Sequence, residues 1–141
     1  MRVDFYHLAS SPVERVLPSI CERVIAGGGR LLIVAGAEQL DRLDRQLWAY
    51  SPGSFLPHGR DGASQPILLA SGLDPENGAR NVALADGIWR EEALAFDRIF
   101  YFFDAARLDE ARASWRALNA HPDAELHYWK QDERGRWVEG P

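Results

Sequence analysis

The sequence GGGRLLIVAG, residues 27–36, decides the fold class of this chain. After Arg30, four large apolar residues and an alanine follow one another without a polar residue, and glycines stand on both sides. A strand with one solvated face alternates apolar and polar residues, whereas a continuous apolar run is expected of a strand covered on both faces. Residues 30–35 are therefore predicted to form a central strand of a mainly parallel sheet.

Outward from this run, the chain alternates strand-like and helix-like segments. Further strands are predicted at residues 3–8, 66–70, 81–84, 99–103, 125–130 and 136–138. Helices are predicted at 38–50, at 105–120 and from Ser10-Ser11-Pro12, which supply an N-cap and an early proline, through Ala26. This alternation predicts one α/β domain, residues 1–141, with a mainly parallel central sheet flanked by helices.

Composition narrows the class of protein. The formal net charge is −5, which argues against a protein that grips nucleic-acid phosphates, and direct binding of single-stranded DNA would need a basic groove. The single cysteine, Cys21, falls at the edge of an apolar helix stripe and is predicted to be a buried thiol. No segment is long and apolar enough to span a bilayer. We therefore expect a soluble, cytoplasmic protein.

The motifs of common α/β enzymes are missing from the sequence. The triple glycine at 27–29 follows a helix and precedes a strand, whereas a phosphate-binding loop follows a strand and opens a helix. The histidines are scattered and show no metal-ligand spacing. No cofactor or metal is expected. Gly36, the loop after Ala70 and Asp104 lie at predicted strand ends, so a small-molecule or nucleotide-binding α/β enzyme acting there remains the alternative.

The segment LDRLDRQLWAYSPGSFLPH, residues 40–58, predicts a protein-binding surface. Its helix buries a stripe made by Leu40, Leu43 and Leu47. Trp48 lies roughly 100° from the centre of that stripe, so much of its ring should sit at the rim. The following loop groups Phe55, Leu56 and Pro57, and an apolar patch of this kind usually has a covering partner. The alternative is that Trp48 and Phe55 cap the domain's own core.

The last long helix carries a second candidate site. Arg112 and Arg116 are four residues apart and line one flank, beside Trp115 of the packing stripe. Together with the strand residue Phe103, they would form a site with an apolar floor and a cationic rim. Such a site suits a peptide that ends in an aromatic residue and a carboxylate. The alternative is a pair of arginines solvated on a surface helix.

Several motifs taken together resemble a known family. They are FYHL at the start, GGGRLLIVA, LDRQLW followed by SFLPH, PILL, FDRIFYFFD and YWK near the end. In this order they resemble the chi subunit of the bacterial DNA polymerase III holoenzyme, over essentially the whole chain. The resemblance implies a non-catalytic replication accessory protein, with a fold akin to nucleotide-binding folds but without their phosphate loop.

The resemblance also implies two partners and no cofactor. The psi subunit, which links chi to the clamp loader, would bind a surface formed by Trp48, Phe55, Pro57 and His58. The C-terminal tail of single-stranded DNA-binding protein would bind Phe103, Arg107, Arg112, Trp115, Arg116 and Lys130. On this view the chain meets nucleic acid only indirectly, through its partners.

Overall fold

The computed structural model describes residues 1–9, 11–50, 57–60 and 63–140. These residues form one sheet whose strands are β1 (Arg2–His7), β2 (Leu31–Val34), β3 (His58–Gly59), β4 (Ile67–Ala70), β5 (Asn81–Leu84), β6 (Arg98–Phe103), β7 (Glu125–Gln131) and β8 (Trp137–Glu139). The helices are α1 (Val13–Ala26), α2 (Ala37–Trp48) and α3 (Leu108–Asn119), and two short 3-10 segments span Glu91–Ala95 and Ala105–Arg107.

The strands lie in the order β3-β4-β2-β5-β6-β1-β7-β8. All neighbouring pairs are parallel except β7 and β8, which pair antiparallel. All four residues of β2 are fully buried, as the continuous apolar run predicts. The α/β fold with a mainly parallel sheet is confirmed.

The helices cover both faces of the sheet. Helices α1 and α2 pack on the face that receives Leu31 and Ile33 of β2. Helix α3 and the first 3-10 segment pack on the opposite face, which receives Leu32 and Val34. This two-sided burial follows from the twofold alternation of side chains along a strand.

Element boundaries differ from the sequence-based prediction at several places. Pro12 occupies the N-cap of α1 in an extended conformation, so the helix begins at Val13 and Pro12 is not inside it. Helix α2 ends at Trp48, not at residue 50. The predicted helix at 105–120 divides into the second 3-10 segment and α3. The two-residue strand β3 was not predicted, because two residues carry no periodic pattern.

Two predictions about individual residues are confirmed. Cys21 is fully buried, and burial raises the pKa of its thiol to about 12. The indole of Trp48 lies at the rim of the α2 stripe with 60% of its surface exposed. In the described residues, none of the helices has the length and apolar character needed to cross a membrane.

Candidate functional site

A cleft of about 250 Å³ opens between α3 and the sheet. Its lining comes from β1, β6, α3 and β7, and consists of Phe5, Phe103, Leu108, Ala111, Arg112, Trp115, Arg116 and Tyr128. Elements that are distant in sequence meet here because β6, β1 and β7 are adjacent parallel strands. The cleft therefore exists only in the folded chain.

Local interactions at the end of β6 set the position of α3. The Asp104 carboxylate accepts a hydrogen bond from the amide of Ala106 at 3.0 Å, and this cap starts the turn that leads into the helix. Ala111 and Leu118 are buried against the sheet. Trp115, one turn beyond Ala111 on the same helix, lines the cleft.

Aromatic rings form that floor. The Trp115 indole meets the Phe5 ring edge to face at 5.1 Å, with an interplanar angle of 74°. It meets the Tyr128 ring at 6.0 Å and 87°. Phe103 is fully buried between Phe5 and Tyr128, with ring centroids within 6.3 Å of both. Contacts on two sides of the indole give the cleft a defined shape before any ligand arrives.

The rim of the cleft is cationic. Arg112 and Arg116 are exposed on consecutive turns of α3, and neither forms an ion pair with a described residue. Their guanidinium groups are therefore available to a carboxylate ligand. An apolar floor with two free guanidinium groups is the geometry that the sequence suggested for Phe103, Arg112, Trp115 and Arg116.

His7 stands beside the cleft and was not singled out from the sequence. Its ring stacks on Phe103 at 5.1 Å, and its Nδ1 lies 2.9 Å from the Tyr128 hydroxyl. Burial, followed by the positive charges of Lys130 and Arg112, lowers the pKa of His7. The FYHL strand signal identified His7 as part of β1, but only the pairing of β1 with β6 and β7 places it here.

Two further residues expected at this site lie outside the cleft lining. Arg107 is 3.7 Å from the Glu110 carboxylate, packs on Gly87 and lines a neighbouring cavity. Lys130 pairs in register with His7 and shares a sheet face with Tyr128, two residues away. Lys130 therefore adds positive charge near the cleft, whereas Arg107 is turned toward a different part of the surface.

The second predicted surface is partly described. The Trp48 ring meets the His58 ring at 5.0 Å and 65°, although they lie ten positions apart in sequence. The His58 side chain is buried, with its Nε2 at 2.8 Å from Asp44 Oδ1. Pro57 is half-buried beside it. Phe55 and Leu56 lie outside the described residues.

A larger cavity, of about 530 Å³, lies at the carboxyl ends of the strands. Its charged residues include Asp104, Arg42 and Glu14, and the last two pair with each other at 3.2 Å. The described part of the chain holds no group of three or more histidine, cysteine or acidic residues that could bind a metal ion. An enzyme active at these strand ends stays a prediction.

The topology defines a class of protein: a single α/β domain with a mainly parallel sheet, akin to nucleotide-binding folds. The sequence profile of the family described as DNA polymerase III chi subunit, HolC, matches residues 1–123, and the chain belongs to that family. None of the curated proteins compared with the chain matches it. Family membership gives the chain an accessory role in DNA replication by DNA polymerase III.

Proposed function

We propose that this chain is a non-catalytic bridge within the replication machinery. One surface binds the psi subunit and so joins the clamp loader, and the other binds the C-terminal tail of single-stranded DNA-binding protein. The chi family membership supports the replication role. The α3 cleft, with its aromatic floor and two free arginines, is the observation that carries the tail-binding half of the proposal.

The chemistry of the cleft fits an acidic peptide that ends in phenylalanine. The terminal ring would enter the floor between Phe5, Trp115 and Tyr128, and the terminal carboxylate would reach Arg112 or Arg116. Guanidinium groups bind carboxylates through paired, charge-assisted hydrogen bonds. A short peptide with one ring and a few charges is expected to bind with a dissociation constant of roughly 1 μM, about −8 kcal/mol, and to weaken with added salt.

The Trp48 surface supports the psi-binding half of the proposal. An exposed tryptophan at the end of a helix is the kind of side chain that dominates binding energy at protein interfaces. His58 beneath the ring is held by Asp44, so the indole rests on an ordered base. Phe55 and Pro57 would extend the same surface.

The helices that would carry the two proposed surfaces pack on opposite faces of the sheet. Helix α2, which ends in Trp48, belongs to one core, and α3 belongs to the other. Two partners bound on opposite faces do not compete for space. A bridge of this kind needs no cofactor, would meet nucleic acid through its partners and would act in the cytoplasm, where the chromosome is copied.

The direct test is fluorescence anisotropy of a labelled peptide with the sequence of the tail of the host's single-stranded DNA-binding protein. We expect salt-sensitive binding by the wild-type chain, and at least a tenfold loss in the double variant Arg112→Gln/Arg116→Gln, since charge-assisted hydrogen bonds to both groups are removed. The matched control is Arg15→Gln/Arg134→Gln, which removes two exposed arginines that do not line the cleft and should bind normally.

A negative result would be informative for each half separately. If the folded wild-type chain bound no tail peptide, the tail-binding role would be wrong. If both double variants lost binding equally, the α3 cleft would not be the binding site. The psi-binding role is tested by co-purification of psi with the wild-type chain and with Trp48→Ala. Retention of psi by Trp48→Ala at wild-type strength would contradict that surface.

A further inference from the structure

A row of arginines crosses the amino edge of the sheet. Arg30 immediately precedes β2, Arg80 immediately precedes β5, and Arg98 and Arg2 are the first residues of β6 and β1. These are four consecutive strands in the sheet order, and Arg2 pairs in register with Arg98. Because neighbouring strands lie about 4.8 Å apart, the backbone positions of the four arginines span about 14 Å. Arg2 and Arg98 lie on one face of the sheet, and Arg30 and Arg80, each one residue before the register position, lie on the other.

The carboxylates of Asp4 and Asp97 neutralise two of these four positive charges, and two remain. The Arg30 guanidinium donates to two backbone carbonyls, those of Ala63 at 2.9 Å and Asn77 at 2.8 Å, which hold it in place without cancelling its charge. Arg2 and Arg98 share one carboxylate, that of the buried Asp4. Each of these two arrangements leaves one positive charge at the edge of the sheet.

The two remaining arginines at this edge are Arg80, the fourth member of the row, and Arg23, which lies beside the row on α1. Arg80 is paired with Asp97 and contributes no net charge. Arg23, in the last turn of α1, is exposed, has no ion-pair partner among the described residues and adds a third uncompensated charge. Beyond Arg2 lie Glu125 and Glu139, which share His127, and the negative charge of Glu125 also acts on Arg2. The edge is therefore locally positive in a chain whose net charge is −5.

Four of these arginines line two cavities at this edge of the sheet, and Arg2 lines neither. Arg23 and Arg98 line a cavity of about 240 Å³, and Arg30 and Arg80 line one of about 420 Å³. The two cavities meet at Gly29 and Asn81, which belong to both linings. Arg98 is oriented by Asp4 at its Nε and by the Phe100 ring, 4.5 Å below its guanidinium carbon.

The groups around the arginine row indicate which kind of ligand it could bind. The amides of Gly27, Gly28 and Gly29 already donate to carbonyls of α1, so they offer no phosphate-binding nest and recognition must come from side chains. Unlike the α3 cleft, the row lacks an open aromatic floor for a peptide side chain, because Arg98 covers Phe100. A single phosphate would engage only part of a row about 14 Å long. We propose that this arginine row binds the phosphodiester backbone of single-stranded nucleic acid directly.

This inference is independent of the tail site and goes beyond the bridging role, in which nucleic acid is met only through partners. The negative net charge of the chain disfavours direct nucleic-acid binding. However, salt screens charges beyond about a Debye length, roughly 10 Å at 0.1 M salt, so a bound phosphate interacts mainly with the charges close to it. Three uncompensated charges predict weak binding, with a slope of about −2 in log K against log salt for a single strand.

The test is fluorescence anisotropy of a labelled oligothymidylate, titrated with the full chain at several salt concentrations. The double variant Arg23→Gln/Arg80→Gln removes one free charge and leaves Asp97 unpaired, so we expect weaker binding and a salt slope smaller in magnitude by about 1. Both arginines are exposed, and neither holds a buried group, so the variant should fold. Circular dichroism confirms that it does.

The matched control is again Arg15→Gln/Arg134→Gln, which lowers the net charge equally at the opposite, carboxyl edge of the sheet. Oligothymidylate binding retained by this control and weakened in Arg23→Gln/Arg80→Gln would support the proposal. No binding by the wild-type chain at low salt would overturn it. Equal losses in both variants would also overturn it, as would displacement of the oligonucleotide by equimolar polyglutamate, which would identify an acidic-peptide site.

Discussion

The indole Nε1 of Trp129 on β7 donates a 2.9 Å hydrogen bond to the carboxylate of Asp4 on β1, a side chain with no exposed surface. Arg2 and Arg98 pair with the same carboxylate, at 3.1 and 3.2 Å. Three neighbouring strands, β6, β1 and β7, are thus joined by one buried charge. A buried carboxylate is stable only while its oxygen atoms keep such partners.

Trp129→Phe is expected to lower the free energy of unfolding by about 2 kcal/mol, because it removes a hydrogen bond to a buried charge while keeping an aromatic ring in place. Equilibrium unfolding in urea, followed by circular dichroism, measures the change. Trp48→Phe is the control, since that ring is mostly exposed and its change should cost less than about 0.5 kcal/mol. Equal losses in the two variants would show that the Asp4 hydrogen bond contributes nothing.

The thiol of Cys21 should be unreactive in the folded chain. Cys21 is fully buried, and its pKa is raised to about 12, so almost no thiolate exists at neutral pH. A chromogenic aromatic disulfide should label it at least about a thousandfold more slowly in buffer than in concentrated urea, since reaction requires unfolding. Rapid, stoichiometric labelling without denaturant would contradict the burial.

Stability should depend on pH through His127. Hydrogen bonds to Glu125 and then to Glu139 raise the pKa of His127 above 6.5, and the hydrogen bond to His127 lowers the pKa of Glu125 below 4.5. The histidine contribution is complete below its unfolded pKa and is lost as pH rises through the folded pKa. The Glu125 contribution is complete above its unfolded pKa and is lost as pH falls through the lowered folded pKa.

Both contributions are therefore complete between pH 4.5 and 6.5. His127→Gln is expected to lower the melting temperature more at about pH 5.5 than at about pH 8.5, because the contribution of the histidine is lost as pH rises through its folded pKa. Thermal melts of both proteins at the two pH values give the comparison. His121→Gln is a control for the loss of a histidine as such. A His127→Gln effect that did not change with pH would rule out the charged pairs.

The floor and the rim of the α3 cleft should respond differently to salt. Trp115→Ala removes apolar contact area, so tail-peptide binding should weaken by a similar factor at low and high salt. Arg112→Gln removes a charge, so its effect should be large at low salt and shrink as salt is added. Anisotropy titrations of both variants at two salt concentrations distinguish the apolar effect from the charge effect. If the effects of Trp115→Ala and Arg112→Gln changed with salt in the same way, the division into an apolar floor and a charged rim would be wrong.

Several features could be predicted from short stretches of sequence, because they depend on the pattern of apolar and polar residues over a few positions. The run at 30–35 identified a doubly covered strand, and the stripe of Leu40, Leu43 and Leu47 identified the buried face of α2 and left Trp48 at its rim. The spacing of Arg112 and Arg116 placed them on one flank of α3. Motifs spread along the chain were enough to point to the chi family.

Residues that meet only through strand order could not be found in this way. His7 and Tyr128 lie 121 positions apart and come together because β1 and β7 are neighbours. The family resemblance implied Arg107 as a member of the tail site, whereas the structure places it against Glu110 and Gly87. The two-residue strand β3 was missed because it depends on pairing with β4.

By itself the sequence determined the fold class, the burial of Cys21 and the faces of the helices, since hydrophobic periodicity and turn residues act over a few positions. Only the tertiary structure decided which distant residues share a surface. The order of parallel strands gathered the arginines at positions 2, 30, 80 and 98 along one edge, although the chain as a whole is acidic. Net charge is a sum over the sequence, whereas binding depends on where the charges lie in space.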